Sequence, residues 1–167
     1  MMYLSREFMD RLPNRHSLGE IDTSHLPADP NRLFAQWFID AVERGVGDVR
    51  AVTVATVGED GYPDARIMEL MYLDSNGFHF GTGANSAKVR QMLHSEVAAL
   101  NFWWQPIGRV VRVRGSAKRV VDGDRFNLWC VEPKYFEFFQ LVDEGWEAER
   151  ILFQLDADGE WERNWFP

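Results

Sequence analysis

From Arg50 onward the chain repeats one device: short runs of period-two alternation, closed by clusters of turn residues. Side chains that alternate with a period of two line opposite faces of a strand, so this pattern limits the chain to a fold built from many short strands. Ala51-Val52-Thr53-Val54-Ala55-Thr56-Val57 predicts a buried strand, Gly58-Glu59-Asp60-Gly61 a turn, and residues 64–73 a second strand. Asp74-Ser75-Asn76-Gly77 is the next turn and residues 78–81 a third strand. Residues 97–104, 109–121, 135–141, 150–155 and 161–165 predict the rest, with Asp158-Gly159 in the last turn. Helices are few. Asp29 can cap and Pro30 can open one that carries Leu33, Phe34, Trp37, Phe38 and Ala41 as an apolar stripe, closed by Gly45. Ser86 precedes a second over residues 87–94, and residues 122–130 read as a third, short one. The fold class expected is mainly β with peripheral helices, a β-barrel with its helices outside.

Residues 1–30 are mostly polar and broken by Pro13, Pro27 and Pro30, which reads as an arm lying on a single body of residues 31–167. At 167 residues and 46% hydrophobic, the chain can bury a sizeable core. Seven Trp and 12 Phe exceed what turns and loops use, so some should fill the core and others line a flat-ligand site or a subunit interface. A net charge of −8 argues against a nucleic-acid or anionic-membrane surface. The first residues lack a signal-peptide apolar core, and no apolar run approaches the roughly 20 residues of a membrane span. A soluble, cytoplasmic protein is expected. Cys130 is the single cysteine and follows Trp129 in an apolar run, which reads as a buried, inert thiol. His16, His25, His79 and His94 show no metal-ligand spacing and are expected in surface or turn positions, with no metal site. The acidic cluster Asp143, Glu144, Glu147 and Glu149 reads as a solvated loop.

Chemistry concentrates in 23 residues. Arg66 on a strand, Thr82 and Ser86 around a turn, and Lys88 at a helix start provide a guanidinium fork, two hydroxyls and an ammonium beside a helix N-terminus. Those groups suit a phosphate. The spacing alone equally fits a strand-edge arginine, ordinary turn hydroxyls and a solvated lysine. Glu69 shares strand parity with Met71 and so faces the same side. It is either a carboxylate for a cationic group or proton, or a rim ion pair with Arg112 or Arg114.

The order of these residues resembles the pyridoxamine 5′-phosphate oxidase family. The likeness runs through His25-Leu26-Pro27-Ala28-Asp29-Pro30 with Leu33, Phe34 and Trp37. It continues through Ala55-Thr56-Val57, Asp60-Gly61, Pro63 and Arg66, then Gly77-Phe78, Phe80, Thr82, Ser86 and Lys88. Gly115 matches as a strand end. Glu137-Phe138-Phe139-Gln140, Glu149-Arg150 and Trp161 to Pro167 match the C-terminal strands. The resemblance implies a split β-barrel homodimer with flavin mononucleotide (FMN) at the subunit interface. It implies that Arg66, Thr82, Ser86 and Lys88 hold the FMN phosphate and ribityl chain, with Ile67, Met68 and Gly81 beside them. Arg150 would reach the flavin from the C-terminal strands. Phe139 stands where the family often has a flavin-contacting tryptophan, and Val110 where a glutamine commonly contacts the ring.

The substrate positions depart from the family. Its lysine at the end of the Arg66 strand is Met71 here, and its basic-histidine pair falls at Trp146 and Ala148. A helical segment that the family carries between Cys130 and Val131 is absent. A site cannot easily desolvate a dianionic phosphate without such partners. The reading is therefore an FMN-dependent oxidase or dehydrogenase for a small aromatic or heterocyclic compound rather than a vitamin B6 phosphate. Glu69, Met71 and Trp146 would line the substrate side, and the catalytic group stays unassigned. The alternatives are a non-catalytic flavin-binding or sensing protein, or a relative that uses deazaflavin or heme.

Overall fold

In a computed structural model, the structure describes residues 21–22, 24–142 and 148–166, with the Phe166 side chain excepted. Among the described residues, nine strands and two α-helices make one body: α1 Pro30–Glu43, β1 Ala51–Val57, β2 Pro63–Glu69, β3 Tyr72–Asp74, β4 Gly77–Gly83, α2 Ala87–Ser95, β5 Val97–Trp104, β6 Arg109–Asp122, β7 Phe126–Leu141, β8 Ala148–Leu155 and β9 Trp161–Phe166. All strand pairs are antiparallel.

The hydrogen-bonded path runs β2-β1-β5-β6-β7-β4-β3. Its two ends are consecutive in sequence, so the chain itself closes the barrel at Leu70-Met71. There Leu70 N–H bonds Arg50 O across to β1, and Met71 N–H bonds His79 O across to β4 (both 2.9 Å). The split comes from β7. Its first half, residues 126–131, pairs with β4, and its second half, residues 135–141, pairs with β8, which carries β9. This is a split β-barrel with peripheral helices: the alternation predicts the barrel and its outer helices, and the family resemblance implies the split.

The strand pleat decides what is inside. Val52, Val54, Leu100, Phe102, Val111, Val113, Phe136, Phe138, Ile151 and Phe153 point inward and are almost fully buried. Helix α1 packs its apolar face against this core from outside the strands. Asp29 Oδ1 caps it by accepting from Asn31 N–H at 2.9 Å, and Pro30 occupies its first turn. Phe34 meets Phe78 and Phe102 edge-on at 4.9 and 4.8 Å, and Trp37 meets Phe138 at 5.2 Å. Edge-on rings at these distances add to simple area burial. Arg109 lies over the Trp37 ring at 4.5 Å and pairs with Asp40, which ties α1 to β6. Much of the aromatic load is therefore core.

Four expectations are corrected. Residues 122–130 contain no helix: Phe126 to Cys130 begin β7, with Phe126 paired to β4 and Asn127 to Cys130 each paired with β4 on one side and β6 on the other. Residues 64–73 are two strands, β2 and β3, broken where the barrel turns its corner at the buried Leu70. Gly115 does not end a strand. It lies inside β6 at a register shift, where an added Cβ would come 2.0 Å from Glu132 O. His79 is not at the surface: it is 3% exposed, stacked on Tyr72 and bonded to Asp74 at 2.9 Å. Cys130 is buried as expected, and burial, with Asp74 and Glu132 nearby, pushes its thiol up to about 11. Of the arm, residues 1–20 lie outside the described residues; Ile21 is buried in the core cluster.

Candidate functional site

The four phosphate candidates come together from three elements. Arg66 lies on the edge strand β2 opposite Val54 and so shares the inward face of β1. Its Nη1 donates to Thr56 Oγ1 (2.6 Å) and Val54 O (3.2 Å), and its Nη2 to Asp64 Oδ2 (2.5 Å) and Gln91 Oε1 (3.0 Å). Thr82, on β4, is 7% exposed. Its hydroxyl accepts from Lys88 Nζ at 3.0 Å and lies 3.2 Å from Ser86 Oγ. Ser86 is the residue before α2, yet its side chain makes no capping bond. Its hydroxyl faces Thr82 instead, and the helix N-terminus keeps its donors.

The electrostatics fit an anion. Lys88 has no carboxylate partner among the described residues, and its ammonium donates only to the Thr82 hydroxyl. Burial holds Lys88 below its ordinary value, the neighbouring Arg66 lowers it further, and Asp64 partly offsets both. A cation so placed gains from an incoming negative charge. Thr56, Asp64 and Gln91 were not singled out from sequence. Gln91 bridges the group, accepting from Thr56 Oγ1 (2.6 Å) and donating to Asp64 Oδ2 (3.3 Å). Strand parity places Asp64 beside Arg66, and helical spacing puts Gln91 one turn after Lys88, so both were within reach of a pattern argument.

The remaining flavin candidates lie elsewhere. Val110, Phe139 and Arg150 form one cross-strand row on β6, β7 and β8. Their parity is opposite to that of the buried Val111, Phe138 and Ile151, so the row faces outward. With Asn101, Trp103 and Glu137 they line a depression of about 380 Å³. Arg150 lies 5.3 Å over the Phe139 ring. Ile67 also faces outward, 69% exposed and opposite Thr53, whereas Met68 packs against the core. Within one chain the phosphate group and the Val110-Phe139-Arg150 row are thus on opposite faces of the sheet.

Of the substrate candidates, Glu69 pairs with Arg50 at 3.1 Å rather than with Arg112 or Arg114, and both partners are largely exposed. Because β2 ends at Glu69, the parity that linked it to Met71 does not hold. Met71 is half-exposed, and its sulfur and the Phe126 ring fill the space over Gly81: a Cβ there would lie 3.0 Å from Met71 Sδ and 2.1 Å from Phe126 Cζ. Trp146, Asp143, Glu144 and Glu147 lie outside the described residues. Glu149 does not stay free: its carboxylate accepts from Ile21 N–H at 2.6 Å. Among the described residues no group of three or more His, Cys, Asp and Glu is placed to hold a metal. Among them, too, no helix is long and apolar enough to cross a membrane.

Known proteins agree with this architecture. The sequence matches the family described as pyridoxamine 5′-phosphate oxidase over residues 38–162. A pyridoxine/pyridoxamine 5′-phosphate oxidase from Cupriavidus pinatubonensis is 30% identical, over 90% of this chain and 94% of its own length. One from Azorhizobium caulinodans is 42% identical over 64% of this chain, which spans only half the length of that relative. Two crystal structures share the fold. PhzG from Burkholderia lata 383, in complex with tetrahydrophenazine-1-carboxylic acid, superposes with a TM-score of 0.81 at 17% identity, over 90% of this chain and 99% of that one. A pyridoxamine 5′-phosphate oxidase-related, FMN-binding protein from Nostoc punctiforme gives 0.73 at 15% identity, over 85% and 100%. With three quarters of its length inside the matched segment, and a split barrel of the same topology, the chain belongs to the pyridoxamine 5′-phosphate oxidase family.

Proposed function

We propose that this chain binds FMN and, as a homodimer, uses it to oxidise a small flat compound that carries no phosphate. The observation that carries the cofactor reading is the convergence of Lys88, Arg66, Thr82 and Ser86 on one spot, with the Lys88 ammonium left without a carboxylate partner among the described residues. When bound, FMN supplies the redox chemistry, and the protein's part is to hold and orient it. Arg66 and Lys88 neutralise the phosphate, and the Thr82 and Ser86 hydroxyls bond its oxygens. The dimer is favoured by the two faces. Val110, Phe139 and Arg150 face away from the phosphate group of their own chain, so a flavin touched by both sets takes each from a different copy.

The substrate reading rests on Met71 and Ala148, which offer no charge where a phosphate-binding relative needs one. The names of the relatives favour the competing reading, a vitamin B6 phosphate. Anaerobic mixing of the flavin-loaded protein with a reduced tricyclic carboxylate, or with pyridoxine 5′-phosphate, separates the two. The proposal expects bleaching of the flavin bands by the first and their return with oxygen. Steady turnover of pyridoxine 5′-phosphate at about 1 s⁻¹ or faster contradicts the substrate reading. A flavin that neither compound bleaches favours a binding protein.

A further inference from the structure

We propose that Asp64 is a built-in competitor for the anion site: its carboxylate occupies the Arg66 guanidinium edge that an incoming phosphate uses, and it has to leave when the phosphate binds. The inference builds on the phosphate reading of the site, but its test does not depend on flavin.

Both terminal nitrogens of Arg66 are already engaged, by Val54 O and Thr56 Oγ1 on one and by Asp64 Oδ2 and Gln91 Oε1 on the other. Three of these partners are fixed. Val54 belongs to a central strand, Thr56 is 1% exposed, and Gln91 is held on α2 through Thr56. Asp64 is different: its side chain is 53% exposed, against 19% for Arg66, and it stands near the start of an edge strand. It can rotate into water at little cost. It cannot stay, because a phosphate on Arg66 Nη2 would put two anions within contact distance in a partly dry site. Protonation does not relieve this, since the Gln91 hydrogen bond and the Arg66 charge hold the Asp64 carboxyl below its ordinary value. Among the described residues Lys88 has no carboxylate in contact, so the direct competition acts at Arg66, although the Asp64 charge also reaches Lys88. The Arg66 charge is thereby balanced and its side chain ordered without a ligand, and affinity for a phosphate-bearing ligand is set below what the two cations would give.

The test measures binding of FMN, riboflavin and inorganic phosphate to the full chain and to its Asp64→Asn, Asp64→Ser and Asp64→Glu variants. Asp64→Asn and Asp64→Ser should each bind FMN and inorganic phosphate about tenfold tighter. Asp64→Glu should stay near the parent, and riboflavin affinity should not move in any variant. An anchor that merely positions Arg66 predicts the reverse, weaker FMN and phosphate binding in Asp64→Asn. That result, or no change in either ligand, overturns the proposal. Tighter inorganic phosphate with FMN bound by none of the proteins supports the competitor and contradicts the flavin reading.

Discussion

An ammonium partly withdrawn from water that meets only a hydroxyl is an unfinished interaction. Lys88 is in that position, and its neighbour Arg66 is neutralised only by an exposed carboxylate. Charge-assisted hydrogen bonds to such groups contribute roughly 1.5–3 kcal/mol each. Lys88→Ala should therefore weaken FMN binding by about tenfold or more, read by quenching of flavin fluorescence, while riboflavin binding changes little. Equal loss for both ligands would place Lys88 away from the phosphate. A second residue-scale expectation concerns Cys130. Its thiol is raised from 9.0 to about 11, chiefly by burial, so the unfolded chain loses that proton at a lower pH than the folded one. The sign follows: stability is unaffected below pH 9 and falls as pH rises from 9 towards 11. Cys130→Ala should flatten that part of a denaturation-against-pH curve. At neutral pH the native thiol should react with a disulfide reagent far more slowly than the denatured one. These residues differ in how readable they were. Arg66, Thr82, Ser86 and Lys88 stand out in the sequence because a phosphate suits those groups in a short span, and the fold brings their elements together. Asp64 and Gln91 give no such signal, because each looks like an ordinary solvent-facing polar side chain until the partner strand and helix are in place.

Strands were legible wherever one face is buried and the other is not, since the pleat then writes a period of two into the sequence. The errors have a common physical origin. Within residues 126–131, Cys130 is buried along with Asn127, Trp129 and Val131, so both faces of the strand are covered there and the alternation that marks a strand is lost. A continuous apolar run of that length fits helix and strand alike. Residues 64–73 were read as one strand because the corner at Leu70-Met71 is set by the bonds to Arg50 and His79, which local sequence does not contain. Gly115 is explained by the same pairing. It lets β6 approach Glu132 O where the register shifts, a contact no Cβ can enter at 2.0 Å. Gly115→Ala should destabilise the fold by about 1–3 kcal/mol, seen as a lower melting temperature with FMN affinity per folded molecule unchanged. An unchanged melting temperature would mean that the backbone yields there without cost.

At the scale of the molecule, the barrel sorts the candidate flavin residues onto two sides of one sheet. The inward rim holds Arg66 and Lys88, and the outward face holds Val110, Phe139 and Arg150. The sequence-level likeness placed all five at one flavin but could not show that a single chain keeps them apart. In the proposed homodimer, two copies reunite them. The most direct measurement is complementation between differently tagged chains, one carrying Arg66→Ala and Lys88→Ala, the other Arg150→Ala. Each homodimer should bind FMN weakly, whereas the isolated heterodimer should recover a single FMN site of parental affinity, because one of its two sites draws every group from an unmutated position. A heterodimer that binds no better than the two homodimers, or a chain that holds FMN as a monomer, would contradict a flavin site shared between copies.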